Sequence, residues 1–185
     1  MDTHDTLLAA ALKLLEDDGE AQFSTRAICA LANVTAPTLY HHFGNIDGLL
    51  SAAIAEEFRQ FLESKKAAVN SPDPVTAVRQ GWDDYVNFAA TRPRLYSAML
   101  GRILKGAHVP AAEQGTLLLI DRIKAVAADG RLAVSVEAGV EHIWASANAA
   151  ALLHVTAQFR KASPPDSTVI DELRERAMQA ILNLN

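Results

Sequence analysis

The chain is short of several things, and each shortage closes off a class of protein. One cysteine, Cys29, occurs in 185 residues. No disulfide can form within the chain, and a reducing compartment such as the cytosol is expected. No apolar run approaches the ~18 residues that a membrane-spanning helix requires. Asp2 and Asp5 precede the first apolar residues, the wrong sign for a secretory signal. A soluble, cytoplasmic protein with no membrane partner follows as the expectation. Strand-forming residues are sparse beside Ala and Leu, which favours an all-α fold.

Catalytic and metal patterns are missing too. No glycine-rich phosphate loop is present. His108, His142 and His154 lack i,i+4 partners, and no Glu-x-x-His occurs, so neither a metal nor any other cofactor is expected. Cys29 has no base beside it in sequence and reads as a small packing residue. Asp83 and Asp84 are adjacent, so they splay around a helix and read as a solvated pair. An enzyme is not expected.

Positive charge is scarce where it would matter most. The net charge is −5. The first fifty residues hold Lys13 and Arg26 against Asp2, Asp5, Glu16, Asp17, Asp18, Glu20 and Asp47. The remaining 135 residues carry fifteen basic and fifteen acidic side chains, so the whole deficit lies at the N-terminal end.

What is present is clearest in residues 24–43, STRAICALANVTAPTLYHHF. Ala27, Ile28 and Leu31 recur at helical spacing and define one apolar face. Ser24 precedes them as an N-cap. Asn33-Val34-Thr35 is a break, and Asn tolerates the left-handed backbone of a tight turn. Thr35 or Ala36 then opens a second short helix with Pro37 in its first turn. Leu39 and Phe43 point inward, whereas Thr38, Tyr40, His41 and His42 form a short polar face. Such a face is the part of a helix–turn–helix that enters the DNA major groove. Arg26 is the candidate charged phosphate contact.

The segment resembles the DNA-binding motif of the TetR family of bacterial transcriptional regulators, whose pattern runs roughly T-x-x-x-I-A-x-x-A-G-V-S-x-x-T-L-Y-x-H-F and then a Leu-Leu pair. Ser24, Ile28, Ala32, Val34, Thr38, Leu39, Tyr40, His42, Phe43, Leu49 and Leu50 fill the matching positions. Cys29, Asn33 and Thr35 depart mildly, and Ile46 stands where a lysine is common. The resemblance implies that Thr35, Thr38, Tyr40 and His42 touch the DNA backbone and that Ala36, Pro37 and His41 face bases. For Tyr40 the plainer alternative is a ring in the core; for His41 and His42 it is simple solvent exposure. With few cations available, phosphate contact would rest on hydroxyls, imidazoles and helix N-termini.

The rest of the chain reads as helices. Residues 3–18 form an amphipathic helix with Leu7, Leu8, Ala11, Leu14 and Leu15 inward, ended by Gly19. Asn45 caps a connector helix over 46–66 carrying Leu50, Ile54, Phe58 and Phe61. Asn70 to Pro74 is a break. Further helices are expected over 74–91, around 95–100, over 110–128, over 134–160 and over 166–184, with 101–110 as a loop. The expected architecture is an all-α N-terminal three-helix head (residues 1–50), joined by the connector to a C-terminal helical regulatory bundle (residues 51–185).

In that bundle Trp82, Tyr85, Phe88, Tyr96, Met99, Trp144 and Phe159 suit an apolar ligand site, with His142, Asn148 and His154 as polar anchors. Ordinary core packing is the alternative for each. No run of lysine or arginine selects a strongly anionic ligand. The stretch Tyr85 to Met99 resembles one set of TetR-family regulatory domains. The last two helices, small-residue-rich around Ala145–Ala151, resemble the family's dimer interface. The resemblance therefore implies a homodimeric repressor that binds double-stranded operator DNA and is released by a small, mostly apolar effector. From a different class, a helical binding protein or enzyme that keeps the head without operator binding is the alternative, and the acidic head is its support.

Overall fold

Capping residues set most of the helix boundaries. Ser24, Asp73, Ser135 and Asp166 each accept a hydrogen bond from a backbone N–H two or three residues on, satisfying donors that a helix start leaves open. Asn45 does the same for the N–H of Gly48, at 2.8 Å. The computed structural model describes residues 2–66 and 73–183. Among them the helices are α1 (Thr3–Asp17), α2 (Thr25–Ala32), α3 (Ala36–Phe43), α4 (Ile46–Lys66), α5 (Pro74–Thr91), α6 (Pro93–Leu104), α7 (Pro110–Ala128), α8 (Val136–Phe159) and α9 (Ser167–Ile181). An isolated backbone bridge joins Leu132 and Leu182. The break expected at Asn70 to Pro72 and the inward Leu184 lie outside the described residues.

The chain forms two compact units. The first runs to Glu63 and takes in Arg94–Ala111; the second comprises Ser64–Pro93 and Ala112–Asn185. Residues 1–50 are thus part of the first unit.

The first unit is built around Leu7, Ala11, Ile28, Leu39, Leu49 and Ala53, all fully buried. Asn33 closes α2 in the left-handed conformation, φ 54° and ψ 46°, and so redirects the chain into α3. The next junction is tighter. A Cβ at Gly48 would lie 2.1 Å from the Phe43 carbonyl oxygen, so α4 begins where no larger residue fits. Two arginines of α6 then hold the earlier helices. Arg94 donates to the carbonyl of Asp17 at the end of α1. Arg102 donates to both carboxylate oxygens of Asp47, at 2.9 and 3.3 Å, and to the Ser51 hydroxyl at 2.7 Å. The Arg102 guanidinium holds the Asp47 carboxyl below its usual range.

The second unit packs α5, α8 and α9 together over Val78, Trp82, Ile123, Val126, Ile143, Ala150, Met178 and Ile181. Polar ties fix the register. The Trp82 indole N–H donates to Ser146 at 2.9 Å, and Arg79 makes a two-pronged pair with Glu175 at 3.0 and 2.8 Å. Arg174 gathers Asp83, Asp171 and Glu175 while its guanidinium carbon lies 6.0 Å from the Trp82 ring centroid.

Three expectations need correction. Leu31 is 46% exposed, because Ile28 and Ala32, one turn apart, already fill the inward face of α2. Residues 101–104 continue α6 rather than start a loop. Gly101 has open space around it, and the buried contacts of Arg102 outweigh the ~1 kcal/mol helix penalty of a glycine. Asp84 is buried, not solvated: it is 6% exposed and accepts from Gln80 at 3.0 Å. Asp83 is tied to Arg174.

Two outcomes are expected in urea unfolding. Asn33→Gly should be near neutral, whereas Asn33→Val, forced into a left-handed backbone, should cost about 1–2 kcal/mol. Asp47→Ala removes the carboxylate from the Arg102 guanidinium and, because the Asp47 side chain is largely exposed, should cost no more than about 1 kcal/mol. Because the folded Asp47 value is depressed, this contribution is full at neutral pH. It disappears only as pH falls below the ordinary carboxylate range and through the depressed value.

Candidate nucleic-acid interface

α3 is only eight residues long, and its burial pattern divides it cleanly. Leu39 is 0% exposed, whereas Pro37, Tyr40, His41 and His42 are exposed and Ala36 and Thr38 half-buried. The polar face expected from sequence is therefore presented to solvent as one surface. Thr35, the N-cap of α3, does not cap with its side chain. Its hydroxyl instead pairs with that of Thr38 at 2.9 Å, which places two hydroxyls at the positive end of the helix. The Tyr40 hydroxyl lies 3.5 Å from that of Thr25 and its ring is 45% exposed, so Tyr40 is not a core residue. Arg26 is exposed near the start of α2. Arg26, Thr35, Ala36, Pro37, Thr38, Tyr40, His41 and His42 thus lie on α2, α3 and the turn between them. Ile46 packs partly buried against the head's core.

The first unit remains acidic as a whole, since it adds Glu56, Glu57 and Glu63 to the carboxylates of the first fifty residues. Arg59, Arg94, Arg102 and Lys105 belong to the same unit. Asp47 feels both Arg102 and Lys105. Sequence order separates Arg94, Arg102 and Lys105 from the first fifty residues by more than forty positions.

Residues considered for an effector fall differently. Trp82 and Phe88 are buried in the second unit, and Tyr85 donates to the Asn148 side-chain oxygen at 3.0 Å. Asn148 in turn donates to the Trp144 carbonyl at 2.8 Å. His154 is half-buried, and burial pushes its imidazole below the usual value, which favours the neutral ring. His142 is exposed and Trp144 is 52% exposed. Phe159 is also 52% exposed. Tyr96 and Met99, both buried, belong to the first unit.

Two groups escaped the sequence reading. Arg122 of α7 lies across α5 at Gly81, where a Cβ would meet its guanidinium at 1.8 Å. Burial lowers the Arg122 value while the charge of Asp84 acts against that. Only a lone arginine opposite a glycine in another helix marks this, and no periodicity shows it. His4 of α1 is the second, placed against Phe43 and His42.

Comparison with known proteins singles out the same segment. Residues 7–53 match the model of the bacterial regulatory proteins of the tetR family. Over 141 residues the chain is 28% identical to the HTH-type transcriptional regulator CymR of Pseudomonas putida, covering 76% of this chain and 68% of that protein. Its fold is similar to that of a protein of unknown function from Rhodococcus sp. RHA1, with TM-score 0.81, 21% identity, and 99% and 97% of the two chains covered. It is also similar to a tetR-family transcriptional regulator of Pectobacterium atrosepticum, with TM-score 0.66, 24% identity, and 96% and 89% covered. With α2, the Asn33 turn and the exposed face of α3 lying inside the matched segment, residues 7–53 are similar to the DNA-binding part of the tetR family of bacterial regulatory proteins, and the chain is a DNA-binding transcriptional regulator.

Proposed function

We propose that the protein is a homodimeric repressor that leaves its operator when a small molecule binds, and that it is cytoplasmic and not an enzyme. The observation that carries the reading is the divided α3, one face fully buried on the head and the other exposed with hydroxyls and imidazoles. Residues 1–50 form the reading head in this account, and 51–185 supply regulation and dimerisation. Arg26, Thr35, Thr38, Tyr40 and His42 contact phosphates, while Ala36, Pro37 and His41 meet base edges. Ala36 and Pro37 suit thymine methyls, and His41 suits a guanine acceptor edge.

An exposed apolar stripe supports the dimer. Trp144, Leu152, Leu153 and Phe159 on α8 and Val169 on α9 are each more than 40% exposed, more than a soluble monomer usually leaves in one place. Along α8 Trp144, Leu152 and Phe159 fall within about 80° of one another, whereas Leu153 lies on a different face. Two copies related by a two-fold axis would bury the stripe and space two heads for a pseudo-palindromic site.

The effector reading draws on separate residues in the two units. In the second unit Trp82, Tyr85, Phe88, His142, Trp144, Asn148 and His154 are proposed, with neutral His154 as a polar anchor. In the first unit Tyr96 and Met99 are proposed. Release then requires that the effector bind one dimer state more tightly than the other. No described helix is long and apolar enough to cross a membrane, which is consistent with the proposed location.

Operator selection from random duplexes, followed by gel shift, tests the reading. A specific shift is expected, with a log–log salt slope shallower than about −6 per dimer, since few lysines and arginines release few counterions. Absence of any specific shift at low salt from a folded dimer would overturn the regulator assignment to operator DNA. For the dimer, Leu152→Asp should sediment as a monomer where the wild type sediments as a dimer. A wild-type monomer at micromolar concentration would remove the proposed interface.

A further inference from the structure

Three imidazoles gather at one end of the first unit, and one of them lies outside the helix–turn–helix. His4, in the first turn of α1, stacks on Phe43 with ring centroids 4.7 Å apart and planes 25° apart. The same ring stands edge-on to His42 at 6.1 Å, and His42 stands edge-on to His41 at 5.5 Å. The His4 side chain is 44% exposed, while His41 and His42 are exposed. Among the described residues no group of three or more ligating side chains is arranged to hold a metal.

We infer that His4 is a further DNA-contacting residue, and that His4 and His42 act together as a proton-linked phosphate clamp. The inference rests on α3 facing DNA. His42 lies at the backbone-facing end of that surface, and a ring 6.1 Å from it is within one phosphate's reach of the same strand. The first fifty residues supply only Lys13 and Arg26 as permanent cations, so imidazoles are the remaining source of positive charge there. An imidazole titrates near about 6.5 when unperturbed. A phosphate held between the His4 and His42 rings favours the imidazolium over the neutral ring in the complex, so DNA binding takes up protons.

The surrounding charges set how strongly. On α1, Asp5 lies 3.7 Å from His4 at the positive end of the helix. On α4, Glu56 feels the charge of His4 and is itself held by Arg59 and Gln60. On α3, His41 and His42 occupy the last turn, at the negative end of the helix dipole.

The test uses the full chain, the selected operator duplex and a scrambled duplex of equal length, with affinity read by fluorescence anisotropy at constant ionic strength. Wild-type affinity for both duplexes should rise at least about tenfold from about pH 8 to about pH 6. His4→Phe keeps the stack on Phe43 but cannot be protonated. It should bind within about twofold of wild type near pH 8 and forfeit at least about threefold of the gain at pH 6. His4→Gln, polar and non-ionising, should forfeit the same amount, with circular dichroism confirming the fold of both. If both variants keep the wild-type pH profile, His4 is a packing residue and the inference is overturned. A flat wild-type profile with operator binding intact also overturns it, and leaves the regulator reading standing.

Discussion

An eight-residue helix has almost no stability of its own in water, because forming its first turn costs more order than its few hydrogen bonds return. α3 is such a helix. Its existence depends on burying Leu39 against Ile28, Leu7 and Leu49, all fully shielded from solvent. The rest of the first unit can be understood as support for that contact. Asn33 supplies the turn that brings α3 across α2, and the close approach of Gly48 to the Phe43 carbonyl fixes where α4 leaves. Arg102 secures the first turn of α4 through Asp47 and Ser51. Each support acts on backbone direction, so the exposed side of α3 inherits a defined orientation.

The second unit is held by a different balance. Its core is apolar, but its helices are registered by polar pairs at the margin: Trp82 with Ser146, Tyr85 with Asn148, Arg79 and Arg174 with Glu175. Such ties specify one packing arrangement more than they add stability. Arg122 over Gly81, near buried Asp84, extends the polar character inward. Trp144, Leu152 and Phe159 stay exposed along α8.

Local chemistry was legible in the sequence. Ser24, Asn33 and Asn45 act at the caps and turn where their side-chain chemistry puts them, and the helix–turn–helix follows from them. Contacts made across long sequence separations were not legible. Leu31 turned outward because Ala32 took its place, a competition between neighbours that spacing alone does not settle. Gly101 and Gly106 suggested a loop, yet α6 runs to Leu104 because Arg102 is anchored to a helix fifty-five residues earlier. Asp84 and Arg122 follow the same rule: charge buried between helices leaves no periodic trace. Where the exposed face of α3 lies was predictable; that His4 sits beside it depends on how α1 crosses α3.

The two arginines of α6 bear on how this regulator can be taken apart. Arg94 and Arg102 hold the end of α1 and the start of α4, although they follow residue 50 by more than forty positions. The reading head is thus not a detachable N-terminal cassette. A hybrid that joins residues 1–50 to a foreign helical bundle would inherit the exposed face of α3 and lose its clamps, unless the recipient's own α6 offers arginines at equivalent places. Sensor engineering with this scaffold should graft α6 together with the head, treating residues separated in sequence as one transplantable part.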